Sequence, residues 1–279
     1  MRKIFLVPNV ITAFGLACGI FVIFKVNMIE PGAGEYAVMK TSALLLLLAA
    51  FADFIDGAVA RMLKAETEFG IMFDSLADAV SFGVAPSVVV LKSLSLQQGS
   101  VISFLTATGG MVYSLCGILR LVRYNVKKDK KSDSLIKSDV QEKNFTGLPI
   151  PAAAAGIISI NLVLLSPIFE GYFNLSNTLR AIILTCVMGV LGYLMVCRWK
   201  FPGLKSLHFR VASFHLAFIS VVIAVFVLYG AFYYFSIVLA LMAWVYIIVA
   251  IVLSIIRIIA GKKSKTLEDF EPDPDEFEE

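Results

Sequence analysis

Asp53, Asp56, Asp74 and Asp78 are the residues whose type and spacing point most directly to chemistry. They fall in one string, Asp53-x2-Asp56-Gly57-x2-Ala60-Arg61-x8-Gly70-x3-Asp74-x3-Asp78, inside otherwise apolar sequence. A carboxylate placed in hydrocarbon costs roughly 2.5–3.5 kcal/mol on insertion scales, so these four aspartates require a compensating partner. Hard oxygen ligands suit Mg2+ or Mn2+. Four carboxylates around one spot can hold two such ions, the arrangement that clamps the oxygens of a transferring phosphoryl group. The pattern predicts a metal-dependent membrane enzyme.

The elements that must position these groups are helices. At about 100° per residue, Asp53, Asp56, Gly57 and Ala60 share an arc of about 100°. Two carboxylates and two small residues therefore lie on one face. Gly70, Asp74 and Asp78 repeat every four residues and again share a face. The short stretch Met62–Phe69 predicts that the two helices are antiparallel neighbours whose aspartate faces meet. Gly57 and Ala60 leave room beside the ions for a flat or bulky group, and Gly70 permits close helix approach. Asp74 is expected roughly 7.5 Å inside its span, at the level of a lipid phosphate.

The composition supports a membrane setting: 59% of the residues are hydrophobic, above the usual share of about 45–50%. Apolar stretches near the roughly 20 residues of a spanning helix occur at 5–26, 37–60, 70–93, 101–124, 148–167, 179–197, 211–230 and 233–257. The expected fold is all-α: a polytopic bundle of about eight transmembrane helices, six forming a catalytic core and two following it. Residues 1–260 would form the membrane domain and 261–279 a disordered acidic cytoplasmic tail, with eight acids in 268–279. Pro8 is a candidate break in the first span. No small-residue cleavage site follows that span, so a cleaved signal peptide is not expected.

Of the 24 Lys and Arg, only Lys25, Lys40, Lys92 and Arg180 fall on one side when the N-terminus is placed inside. The positive-inside rule then puts both termini and the aspartates at the cytoplasmic face. The best-fitting location is a bacterial inner membrane. Cys18, Cys116, Cys186 and Cys197 show no paired spacing, which argues against a thiolate site or a disulfide framework. His208 and His215 are read as structural. Nothing supports nucleic-acid binding. No internal repeat is evident, which counts against many transporters built from paired halves. The last two helices carry few polar side chains and are read as packing, lipid-facing or dimer-forming elements.

The complete aspartate string resembles the signature of the CDP-alcohol phosphatidyltransferase family, with all eight fixed positions matching. The resemblance implies that Asp53, Asp56 and Asp74 ligate metal, that Asp78 completes the site and acts as base, and that Gly57, Ala60 and Gly70 line a cytidine nucleotide pocket. It also implies a homodimer. Arg61 is fixed in the motif and would serve either the nucleotide or an aspartate. Asn9 and Thr12 would contact a diphosphate or satisfy the backbone at Pro8.

Three further segments are similar to the branch of that family whose acceptor is L-serine. They are Pro8-Asn9-x2-Thr12 leading to Cys18-Gly19, Ser81-Phe82-Gly83-Val84-Ala85-Pro86, and Arg120-x2-Arg123-Tyr124-Asn125 with Phe145-x-Gly147-Leu148-Pro149-x-Pro151-Ala152-Ala153. This likeness implies transfer of a phosphatidyl group from CDP-diacylglycerol to the serine hydroxyl, giving phosphatidylserine and CMP. Arg120, Arg123, Asn125 and Ser81 are the candidates for holding serine. The two arginines read equally as snorkelling cations, and Ser81 as a hydroxyl bonded to its own preceding turn. Glycerol 3-phosphate, an inositol phosphate or choline remain alternative acceptors, and a divalent-cation transporter is the alternative of a different class.

Overall fold

The computed structural model describes residues 6–28, 30, 36–63, 67–97, 99–133, 144–173, 175–197, 200–202, 229–230 and 232–260. His208, His215, most of the expected 211–230 span and the acidic tail lie outside them. The described chain is helical apart from one short antiparallel strand pair. Helix α1 covers Leu6–Asn27, α2 Tyr36–Met62 and α3 Glu68–Asp78. A π-helical turn over Ala79–Val84 leads into α4, Ala85–Ser93. Then come α5 (Val101–Asp133), α6 (Ile150–Leu165), α7 (Pro167–Tyr172), α8 (Asn177–Val196) and α9 (Phe235–Ala260).

Six helical runs among the described residues are long and apolar enough to cross a membrane, with α3, the π turn and α4 forming one of them. They mark an integral membrane protein. The expected fifth span is shorter than predicted: α6 has 16 residues, below the roughly 20 that a perpendicular crossing needs. Two boundaries also differ. Pro8 does not break α1 but sits in its first turn, where the missing N–H would have had no intrahelical partner. Helix α5 runs past the expected end at 124 to Asp133, because Lys127, Lys128, Lys130 and Lys131 are adequate helix formers.

The packing is inside-out in the membrane sense. Phe14, Phe21, Phe24, Phe51 and Phe54 are all exposed on the outer faces of α1 and α2. Small residues instead line the contacts between helices, as expected where lipid supplies no hydrophobic drive for association. Gly15 of α1 faces Ala49 and Ala52 of α2. A Cβ on Gly19 would collide with the Ser81 hydroxyl and lie 2.8 Å from the Ser81 Cα, so only glycine lets α1 reach the π turn. Helix α2 packs chiefly on α1, and α3 also rests on α1 rather than broadly on α2. The antiparallel pair expected from the short connection is thus splayed, with α1 backing both members.

The π turn follows from Pro86. Proline has no N–H for the carbonyl four residues back and its ring crowds that carbonyl, here that of Phe82. Widening to a π turn accommodates the ring. The Phe82 carbonyl accepts instead from the buried Tyr113 hydroxyl at 3.1 Å, and the Gly83 carbonyl from Ser114 Oγ at 2.9 Å. Helix α5 therefore braces the turn that follows Asp78. Between α5 and α6, β1 (Asn144–Thr146) pairs antiparallel with β2 (Lys200–Pro202), which follows α8. Gly147 takes a positive φ of 79°, and Leu148 N–H donates to the Leu194 carbonyl at 2.9 Å, docking the entry of α6 on α8.

Candidate functional site

Asp53 and Asp56 come from the last turns of α2, and Asp74 from the middle of α3. Carboxylate oxygens from these three all lie within 4.8 Å of one another. Asp56 is buried, and its Oδ2 accepts from Thr12 Oγ1 of α1 at 2.6 Å. Thr12 Oγ1 also lies 3.1 Å from the Pro8 carbonyl. One hydroxyl carries one proton, and a charge-assisted bond to a carboxylate is the stronger of the two. The three oxygens are hard donors converging from two helices with a neutral hydroxyl behind them. That donor set fits Mg2+ or Mn2+.

The start of α3 is capped locally. Thr67 precedes the helix in extended conformation, and its side chain accepts from Gly70 N–H at 3.0 Å, satisfying one otherwise orphaned donor. A Cβ on Gly70 would lie 3.0 Å from Thr67 Oγ1 and 3.1 Å from Asn9 Oδ1. Gly70 therefore lets Asn9 of α1 close over the beginning of α3.

Two cavities meet at the carboxylates. An outer cleft enclosing about 730 Å³ of empty, partly open space is lined by Asn9, Thr12, Gly57, Ala60, Arg61 and Gly70, together with Thr67, Ser75, Tyr124 and Asn125. A narrow inner recess, with only about 10 Å³ of room, is lined by Asp53, Asp78, Ser81 and Phe82. Thr12, Asp56 and Asp74 belong to both walls, so the acidic cluster sits at the junction. Asp78 is not within the three-carboxylate group. It stands one turn deeper, facing the inner cavity, and Arg120 of α5 is the cation whose charge bears on it. The Nε of Arg120 is buried without a hydrogen-bond partner among the described residues.

The remaining acceptor candidates separate. Arg123 lines neither cavity; its Nη1 donates to the Val196 carbonyl at 3.0 Å, capping the end of α8. Asn125 lies in the outer cleft, where its side-chain nitrogen donates to Ser75 Oγ at 2.9 Å. Ser81 is buried between helices, with Oγ 3.4 Å from the Gly15 carbonyl, while still bordering the inner cavity. Sequence reasoning missed Thr67, Ser75 and Tyr124 as cleft residues, and Tyr113 and Ser114 as braces. Thr67-x2-Gly70 at the start of an apolar run was a readable cap; the others carry no local signal. No cysteine lines either cavity among the described residues.

Chemically, the arrangement offers a roomy cleft for a large head group, an anionic cluster at its floor, and a narrow inner recess bordered by Asp78, while Arg120 lines neither. A family model for CDP-alcohol phosphatidyltransferase matches residues 5–199. The chain is 30% identical over 219 residues to CDP-diacylglycerol--serine O-phosphatidyltransferase of Helicobacter pylori, covering 78% of this chain and 81% of that protein. It is 33% identical over 200 residues to the Bacillus subtilis protein of the same name, covering 72% and 92%. To the Methanocaldococcus jannaschii protein of that name it is 31% identical over 177 residues, covering 63% and 71%.

Proposed function

The chain belongs to the CDP-alcohol phosphatidyltransferase family, and from that premise we propose that it transfers the phosphatidyl group of CDP-diacylglycerol to the hydroxyl of L-serine, releasing CMP. The observation that carries the reading is the junction itself. Three convergent carboxylates form the floor of a cleft whose wall holds the small residues of the motif. The names of the three relatives support serine as acceptor.

In this reading Asp53, Asp56 and Asp74 would hold Mg2+ or Mn2+, and Asp78 would complete a site for two ions. Bound there, the ions would offset charge on the diphosphate oxygens as it develops. The nucleotide occupies the outer cleft, where Gly57 and Ala60 leave space and Asn9, Arg61 and Asn125 offer polar contacts. Serine approaches Asp78 along the inner recess, which has about 10 Å³ of room here and widens to take it. Its hydroxyl is a weak nucleophile and needs a base within about 2.6–3.2 Å; Asp78 accepts that proton. The serine oxygen bonds to the phosphorus bearing diacylglycerol as the bond from phosphorus to the CMP oxygen breaks. Arg120 pairs with the serine carboxylate, for which a planar guanidinium is well matched. The acyl chains stay in the bilayer, and the cleft opens to the cytoplasm. The active unit is a homodimer in a bacterial inner membrane.

Serine carrying 18O in its hydroxyl tests the direction of attack. The reading predicts label in the lipid product and none in CMP. Label in a cytidylyl-serine with phosphatidic acid as the lipid, or CMP release with a lipid product that lacks serine, contradicts it.

A further inference from the structure

Asp53 and Asp56 stand on α2 and Asp74 on α3, yet among the described residues these two helices do not pack broadly on each other. Their carboxylates nevertheless converge, and Mg2+ tolerates little departure from octahedral bonds of about 2.0–2.1 Å. Something other than direct packing must therefore fix α3 relative to α2. Helix α1 backs one side of α3. On the side toward α5 the packing is again slight, and a side-chain hydrogen bond spans the gap instead.

That bond runs from Asn125 Nδ2 of α5 to Ser75 Oγ of α3, at 2.9 Å. The Ser75 hydroxyl lies 3.1 Å from the Ile71 carbonyl one turn back and 3.3 Å from Asn125 Oδ1. It carries one proton. Donated to Ile71, that proton leaves a lone pair for the amide nitrogen, so the bond has a fixed sense. Both side chains line the outer cleft, and Ser75 directly follows Asp74. Helix α5 already holds the π turn through Tyr113 and Ser114. Asn125 lies about 16 Å farther along α5 at 1.5 Å per residue. Helix α5 thus grips the continuous run of α3 and the π turn at two points, with Asp78 between them and Asp74 beside the second. Resting on the metal reading above, we propose that Ser75 and Asn125 are positioning residues whose bond clasps α3 to α5 and sets where Asp74 stands against Asp53 and Asp56. Asn125 then serves the metal side of the site rather than holding serine.

The test is Mn2+ binding to purified full-length protein, followed by loss of the free-ion electron paramagnetic resonance signal, alongside the serine dependence of CMP release. Ser75→Ala and Asn125→Ala should each weaken Mn2+ binding about fivefold, the scale of one neutral hydrogen bond. The double variant should be no weaker than either single one, because the two residues share one interaction. Ser75→Thr, which keeps the hydroxyl, should restore most of the affinity. At saturating Mn2+ the serine concentration for half-maximal rate should not move. Unchanged Mn2+ binding in either single variant overturns the proposal, as do additive losses in the double variant or an equal loss in Ser75→Thr. A raised serine requirement with unchanged Mn2+ binding overturns it too and returns Asn125 to the acceptor. Wild-type protein that binds no Mn2+ refutes the metal reading itself, whereas wild-type affinity retained in the variants refutes the clasp alone. The binding measurement needs no acceptor, so it decides the clasp whichever alcohol the enzyme uses.

Discussion

At the scale of single residues, the site divides carboxylates by position. Asp53, Asp56 and Asp74 converge, whereas Asp78 stands deeper in the inner cavity with Arg120 as its cationic neighbour. Asp78→Asn should therefore lower CMP release by about 10²–10⁴-fold, the usual worth of a general base, while CDP-diacylglycerol binding stays within a few-fold of wild type. Equal loss of both in a binding and turnover assay would make Asp78 chiefly a ligand. Thr12→Val keeps the shape but removes the 2.6 Å bond to Asp56. The metal concentration for half-maximal activity should rise by at least tenfold, given about 1.5–3 kcal/mol for a hydrogen bond to a charged group; an unchanged metal dependence would deny Thr12 that role. The four aspartates were legible in the sequence because their spacing on single helices fixes a shared face. Arg120 and Arg123 were not separable that way. They sit three residues apart on one helix, and only the packing of α8 shows that Arg123 caps the Val196 carbonyl.

At the scale of elements, the turn after Asp78 matters as much as the helices. Pro86 frees the Phe82 carbonyl, and Tyr113 supplies the replacement donor. Tyr113→Phe would remove that bond, at a cost of about 0.5–1.5 kcal/mol. A lower melting temperature in detergent is expected, with turnover falling because Asp78 lies immediately before the turn; an unchanged melting temperature would remove the brace from the account. The Pro86 signal was present in the sequence, but its consequence was not. A proline in an apolar run predicts a kink, whereas a π turn held open by α5 depends on residues about 30 positions away. The splay of α2 and α3 was hidden for the same reason: the connection length implied neighbours, and the intimate packing went to α1 through Gly15 and Gly19.

At the scale of the whole molecule, hydropathy located most of the described helices to within a few residues, but missed the early stop of α6 and the extension of α5. Composition separates lipid-soluble segments from polar ones; it does not say that α6 stops at 16 residues or that α9 seats on Gly156. The proposed orientation rests on charge alone. In a cysteine-free background, a cysteine at Gln97 should react with an impermeant maleimide in intact cells, and one at Ser132 only after permeabilisation. The opposite pattern would invert the protein and put the cleft outside.

The most direct measurement is CMP release from purified protein with CDP-diacylglycerol and Mg2+ or Mn2+, comparing L-serine with glycerol 3-phosphate, an inositol phosphate and no acceptor. The account predicts release that depends on both serine and metal and is lost in Asp78→Asn. Release with another acceptor alone would contradict the serine assignment. Metal flux without CMP release from folded protein would contradict the transfer reaction itself.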